Sequence, residues 1–137
     1  MCPTAATPAV TSLAPVLVVD AVQPCIAFWR DHLGFTVENE VPGPDGLTLF
    51  ASVKKGAVEI MYQTRASVIA ADTSRAAELT GFSTALYIEL PTLADLDLAE
   101  RALAGALVVK PRHETFYGTT EFYVREPGGN VVGFASR

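Results

Sequence analysis

Cationic side chains, thiols and long apolar runs are all scarce in this chain of 137 residues. Lys and Arg total 10 against 15 Asp and Glu, and the formal net charge is −5. A nucleic-acid surface needs clustered Lys and Arg against the phosphates, so we expect no nucleic-acid partner. No apolar run approaches the ~18 residues that a membrane-spanning helix requires, so we expect no membrane partner either.

The two cysteines, Cys2 and Cys25, match neither a disulfide framework nor the spacing of a metal site. The first residues contain no basic segment followed by an apolar one, as a secretory signal would. We therefore expect a cytoplasmic protein with reduced thiols. The chain also shows no Ser/His/Asp set and no His next to Cys25 in sequence, so nucleophilic catalysis has little support.

The chain instead contains two copies of a strand–helix–hairpin module. Apolar residues make up 50% of the sequence and charged residues 18%, which is typical of one globular domain. We expect a flexible tail over residues 1–11, rich in Pro, Thr and Ala, and a single domain over residues 12–137. The modules would span residues 12–63 and 82–137, joined by a crossover over residues 64–81 that holds a short helix closed by Gly81.

In the first module, residues 13–19 are apolar and β-branched, which predicts a strand, and Asp20 could start the next helix by accepting backbone N–H groups. Apolar positions from Cys25 onward recur at helical spacing, with Trp29 facing the core, and Gly34 ends the helix. Residues 35–40 would form a strand, and a hairpin would turn at Lys54-Lys55-Gly56.

The second module repeats this plan. We expect a strand over residues 83–90, a helix opened by Pro91-Thr92, a strand over residues 106–110 and a loop over residues 111–118. A last hairpin would turn at Glu126-Pro127-Gly128-Gly129.

Two motifs in these modules resemble those of a known superfamily. V-V-D followed by F-W-R-D-H-L-G-F resembles its V-x-D…F-Y-x-x-x-L-G-F signature, and R-E-P-G-G-N-V-V resembles its D-P-x-G-N signature. The superfamily is the vicinal oxygen chelate group, also called the glyoxalase/bleomycin resistance/dioxygenase group. The resemblance implies an α+β fold of two βαβββ modules, whose sheet curls into a cup with the helices outside, and a homodimer. Glu126 replaces the usual Asp, a change that we expect to leave the turn unaltered.

Metal-dependent members of the superfamily hold a divalent ion with four ligands on the inner wall of the cup, on the first and last strands of both modules. In this chain the corresponding positions are Leu13, Glu59, Ala85 and Gly133. Only Glu59 carries a donor side chain, whereas tight sites need three or four donors. We therefore expect no bound metal and no cofactor.

Strand alternation places other side chains on the inner wall of the cup. In the first module these are Glu59 and Met61, and in the second Tyr87 and Glu89. His113 and Tyr117 lie in the loop at the rim. We expect the ligand-binding residues to be Glu59, Met61, Tyr87, Glu89, His113 and Tyr117.

Carboxylates and aromatic rings suit a cationic or aromatic organic ligand. The resemblance implies the same, because bleomycin-resistance-type members sequester a cationic drug between dimer partners. We therefore expect a metal-free small-molecule-binding protein of this antibiotic-resistance-like kind, with no catalytic residue assigned. One alternative is a metal-dependent lyase, isomerase or dioxygenase with ligands from Glu59, Glu89, Glu121 and His113. Another is a noncatalytic regulatory domain whose cup is degenerate.

Overall fold

A computed structural model describes residues 6–76, 78–79 and 83–137 of the chain. The first five residues of the expected tail, with Cys2, lie outside this range, and so does Gly81. Within the described residues the chain forms eight strands and three α-helices. In chain order they are β1 (Val16–Val19), α1 (Gln23–Leu33), β2 (Thr36–Pro42), β3 (Thr48–Lys55), β4 (Val58–Thr64), α2 (Arg65–Ala71), β5 (Ala85–Glu89), α3 (Leu93–Ala102), β6 (Leu107–Glu114), β7 (Thr120–Arg125) and β8 (Val131–Ser136).

The strands form two four-stranded mixed sheets, in the orders β1-β4-β3-β2 and β5-β8-β7-β6. The first strand of each sheet runs parallel to the last strand of its module, and the other pairs are antiparallel. The expected α+β fold of two βαβββ modules is therefore confirmed. In the described part of the chain the two sheets do not join into one continuous wall, so a single chain does not close the expected cup.

Helix α1 ends as its sequence predicts, but it begins without the expected side-chain cap. Pro24 occupies the first turn, where its missing N–H costs nothing, and Gly34 ends the helix in the left-handed conformation at φ 71°. Trp29 is fully buried, as expected. The expected role of Asp20 at the helix start is wrong: the N-cap is Val22, with no side-chain cap, and the Asp20 carboxylate instead pairs with the Arg65 guanidinium.

Helix α3 begins at a side-chain cap, since the Thr92 hydroxyl accepts the Asp95 N–H at 3.1 Å. Leu96, Ala99 and Leu103 are buried beneath it in the core. The Ala-rich composition predicted the crossover helix around residues 70–79, but α2 lies earlier, at Arg65–Ala71, and a single 3-10 turn follows at Thr73–Arg75.

Most strand boundaries lie within two residues of those expected, and two differ by more. Strand β1 begins at Val16, and Leu13 lies outside it with 85% of its surface exposed. Strand β6 continues through Glu114, although the sequence predicted a loop from Pro111 onward. Proline is tolerated there because β6 is an edge strand, which among the described strands pairs with β7 alone, through a ladder with two register shifts.

One hydrophobic core joins the modules, with α1 and α3 packed against the buried faces of the sheets. A buried chain of hydrogen bonds crosses it: Trp29 Nε1 donates to the Tyr62 hydroxyl at 2.9 Å, and that hydroxyl donates to Glu126 Oε2 at 2.7 Å. Glu126 Oε1 accepts the Asn130 backbone N–H at 2.6 Å within its own turn. Glu126 therefore keeps the turn and also links it to the first module, which the sequence did not indicate.

Candidate functional site

Each sheet has one face packed on the core and one face that α1 and α3 do not cover, here called the open face. On β4, Ile60 and Tyr62 are buried, whereas Glu59 and Met61 on the open face are partly exposed. On β5, Tyr87 and Glu89 are exposed on the open face. The sides assigned to these four residues from strand alternation agree with the structure.

A buried carboxylate with four hydroxyl donors is the most distinctive polar feature of the open face. Glu121, on β7, is 1% exposed. Its Oε2 accepts hydrogen bonds from Tyr87 at 2.5 Å, Thr119 at 2.8 Å and Tyr117 at 3.0 Å. Its Oε1 accepts from Tyr123 at 2.9 Å and again from Tyr117 at 3.0 Å. We call these five residues the Glu121 cluster.

Strand register explains how residues distant in sequence meet in this cluster. Glu121 and Tyr123 alternate onto the open face of β7, and Tyr123 lies opposite Gly133 of β8, which lies opposite Tyr87 of β5. Gly133 leaves room for the Tyr123 ring: a Cβ at this position would lie 2.4 Å from Tyr123 Cε1. The tight Thr115–Thr119 turn, with Gly118 at φ 91°, brings Tyr117 back over the carboxylate.

The hydrogen bonds determine the charge state of the cluster. Burial raises the pKa of Glu121, but the hydroxyl donors stabilise its ionised form more strongly and hold the pKa at about 2. The hydrogen bond to Glu121 raises the pKa of Tyr87 to about 12. Burial and the same carboxylate raise the pKa of Tyr123 to about 12. Near neutral pH the cluster therefore holds one carboxylate and three neutral phenols.

A cavity of about 330 Å³ adjoins the cluster. Three of the expected ligand-binding residues line it, namely Tyr87, Glu89 and Tyr117. Glu59 and Met61 do not line it. One cation, Arg137, does line it, and its guanidinium donates to the Tyr117 carbonyl oxygen at 3.3 Å.

His113 lies on β6 rather than in a loop, opposite Glu121 in the strand register. Its ring stacks on Tyr123 with 6.3 Å between the ring centroids, and Nδ1 lies 2.9 Å from the Pro111 carbonyl oxygen. His113 therefore borders the cluster without donating to the carboxylate.

A larger cavity of about 530 Å³ lies at the seam between the modules. Leu33, Phe35, Leu98 and Phe134 contribute apolar walls, and Glu89 borders this cavity as well as the smaller one. Its apolar walls make it a competing location for an uncharged ligand.

The residues at the four positions that hold a metal in metal-dependent members do not fit one. Leu13 is outside the sheet, Ala85 has no donor, and the Tyr123 ring fills the space above Gly133. Of these four positions, only Glu59 on β4 carries a donor side chain. In the described part of the chain no group of three or more His, Cys, Asp or Glu side chains is placed to hold an ion.

The buried thiol of Cys25 has no features of an activated nucleophile. Cys25 is fully buried, and burial together with the nearby Glu126 carboxylate raises its pKa well above the ordinary value. Burial and the same carboxylate also raise the pKa of Tyr62.

Among the described helices, none has both the length and the apolar character of a membrane-spanning segment.

The fold has counterparts among solved structures. A glyoxalase/bleomycin resistance protein/dioxygenase from Nocardioides is 22% identical with a TM-score of 0.71, and the match covers 97% of this chain and 85% of that one. A lactoylglutathione lyase from Agrobacterium tumefaciens is 19% identical with a TM-score of 0.71, covering 95% and 96%. TioX from Micromonospora sp. ML1 is 16% identical with a TM-score of 0.69, covering 92% and 98%. At these identities the likeness shows the fold alone.

No match was found among curated proteins. The model of the glyoxalase/bleomycin resistance protein/dioxygenase superfamily, however, matches residues 11–134. That match spans both βαβββ modules and agrees with the two motifs that carried the resemblance. The chain therefore belongs to the glyoxalase/bleomycin resistance protein/dioxygenase superfamily.

Proposed function

We propose that this protein binds a cationic aromatic organic molecule on the open face of its second sheet, without a metal. The observation that carries the proposal is the Glu121 cluster, which presents two half-exposed tyrosines beside Glu89 in one cavity. Tyr87 and Tyr117 keep 47% and 48% of their surfaces exposed, so both rings are accessible to a ligand.

Charge and ring chemistry support a cation. Glu89 and the ionised Glu121 are both acidic, and the whole chain carries a net charge of −5. The face of a tyrosine ring attracts cations and stacks on flat aromatic rings. Each good contact of this kind contributes about 0.5–1.5 kcal/mol to binding. A ligand with a positive charge and an aromatic body would use both features at once.

The alternative of a metal-dependent lyase, isomerase or dioxygenase has less support. A lactoylglutathione lyase is among the similar structures, but at 19% identity it informs the fold only. The expected ligand positions offer one carboxylate, and Tyr123 occupies the space at another.

We further propose that the protein acts as a homodimer in the cytoplasm. Among the described strands, β1 and β5 are edge strands of separate sheets, and each has one edge without a strand partner where a second copy could pair. Val16 on β1 is 49% exposed, which pairing would reduce. Light scattering should then give twice the 14.6 kDa mass of one chain. The cytoplasmic location rests on the absence of a disulfide pattern.

A thermal-shift screen tests the binding proposal. Matched aromatic compounds carrying an ammonium, a hydroxyl or a carboxylate are added at equal concentration. A ligand at 100 times its dissociation constant stabilises the native state by about 2.7 kcal/mol, so cationic compounds should raise the melting temperature measurably. Tyr87→Ala should abolish the shift, and Leu98→Ala in the larger cavity should leave it intact. If only anions or neutral diketones raise the melting temperature, the proposal is wrong, and if nothing does, a degenerate regulatory domain is favoured.

A further inference from the structure

In the Glu121 cluster, the hydrogen bonds to the carboxylate determine how each phenol can interact with a ligand. Tyr87, Tyr117 and Tyr123 each donate to Glu121, at 2.5, 3.0 and 2.9 Å. A phenol carries one proton, and its oxygen can also accept. Because each proton is already directed at the buried carboxylate, these oxygens can only accept from a ligand.

Two of these acceptors lie close enough to act on one atom. The Tyr87 and Tyr117 hydroxyls both donate to the same oxygen, Glu121 Oε2. The distance between the Tyr87 and Tyr117 hydroxyl oxygens therefore cannot exceed the sum of these two hydrogen-bond lengths. One nitrogen with two N–H bonds of ordinary length, about 2.7–3.2 Å from N to O, bridges such a span.

The third acceptor is Glu89, which lines the same cavity as these two tyrosines. The polar groups near the mouth also include Arg137, whose guanidinium already donates to the Tyr117 carbonyl oxygen. Three acceptors match the three N–H bonds of a primary ammonium group. A quaternary ammonium group has the same charge and no N–H to donate.

We propose that the Glu121 cluster makes the cavity selective for N–H donors, so that it takes a primary ammonium group on an aromatic body in preference to its quaternary analogue. This inference rests on the proposed function and specifies the ligand class. Glu121 acts as a positioning residue, because it is buried behind the cavity wall and sets the direction of the Tyr87 and Tyr117 hydroxyls that line the cavity. Simple attraction between a cation and an aromatic face would bind both analogues alike.

The first test compares 2-phenylethylammonium with its N,N,N-trimethyl analogue by isothermal titration calorimetry on the wild-type protein. Two hydrogen bonds of ordinary strength correspond to at least about tenfold tighter binding of the primary ammonium compound. Tyr87→Phe should remove most of this preference and retain binding of the trimethyl compound. Leu107→Ala, an exposed residue that does not line the cavity, is the matched control and should keep the preference.

The second test needs no ligand. Glu121→Gln removes the charge that holds the phenol protons, so the pKa of Tyr87 should move from about 12 toward the ordinary value of 10.0. The pKa of Tyr123 should fall less, because burial is the larger cause of its increase. Tyrosinate absorbance measures this, with circular dichroism to follow folding. An unchanged titration in Glu121→Gln would overturn the inference whatever the binding data show.

The outcomes separate the two proposals. If both ammonium compounds bind equally, the proposed function stands and the donor selectivity is wrong. If neither binds, the proposed function fails and the inference fails with it. Tighter binding of 3-phenylpropionate than of either cation would contradict both and would point to Arg137 as the recognising group.

Discussion

Tyr62 donates a hydrogen bond of 2.7 Å to Glu126 Oε2, although the two residues belong to different modules. Both are buried, at 0% and 2% exposure, and the Tyr62 oxygen also accepts from Trp29 Nε1. A buried carboxylate without its donor is costly, so this contact makes the packing of one module depend on the other.

Removing the Tyr62 hydroxyl should therefore destabilise the whole domain. We expect Tyr62→Phe to lower the free energy of unfolding by about 2 kcal/mol, because Glu126 loses a donor and Trp29 an acceptor. Urea denaturation measures this. Tyr87→Phe is the matched control: its phenol is half exposed and Glu121 keeps three other donors, so its cost should stay below about 1 kcal/mol. In a double-mutant cycle with Glu126→Gln, additive effects would show that the two residues do not act together.

Gly133 should tolerate no side chain while Tyr123 is present. Its added Cβ would lie 2.4 Å from Tyr123 Cε1, so Gly133→Ala should displace the ring and cost about 1–3 kcal/mol. The same change in a Tyr123→Ala background should cost much less, because the obstructing ring is gone. Equal costs in both backgrounds, measured by denaturant unfolding, would show that the Tyr123 ring is not what excludes a side chain here.

Acid should remove the stabilisation supplied by Glu121. Its pKa falls from 4.5 to about 2 on folding, so its contribution is fully present above pH 4.5 and is lost as the pH falls toward 2. Other carboxylates titrate in this range, so the quantity to follow is the difference in free energy of unfolding between wild type and Glu121→Gln. We expect that difference to shrink steadily on acidification. A difference independent of pH would mean that Glu121 is not held as a carboxylate by its hydroxyl donors.

The local residue pattern was sufficient to predict the two modules and to assign strand side chains to the open face. Side chains in a strand alternate with a period of two, so Glu59, Met61, Tyr87 and Glu89 could be assigned to the open face from the sequence alone. Helix ends were predictable where backbone chemistry decides them, as at Gly34 and Thr92. Asp20 failed as a predicted cap because its carboxylate pairs with Arg65.

The Glu121 cluster was only partly predictable. Thr119, Glu121 and Tyr123 occur at every second position, a signal for one shared face that was available in the sequence. Tyr117 instead reaches the carboxylate through the Thr115–Thr119 turn. Tyr87 joins them only through the register of β5 on β8 and β8 on β7, which no local pattern specifies. The reach of Glu126 to Tyr62 likewise depends on how the two modules pack.

The most direct test is calorimetric titration of 2-phenylethylammonium into protein that has been treated with a chelator and checked for metal content. Attraction and stacking at Glu89, Tyr87 and Tyr117 need no ion, so we expect the dissociation constant to match that of untreated protein. Binding that disappears on chelation and returns with a stoichiometric divalent metal would contradict a metal-free tyrosine–carboxylate site.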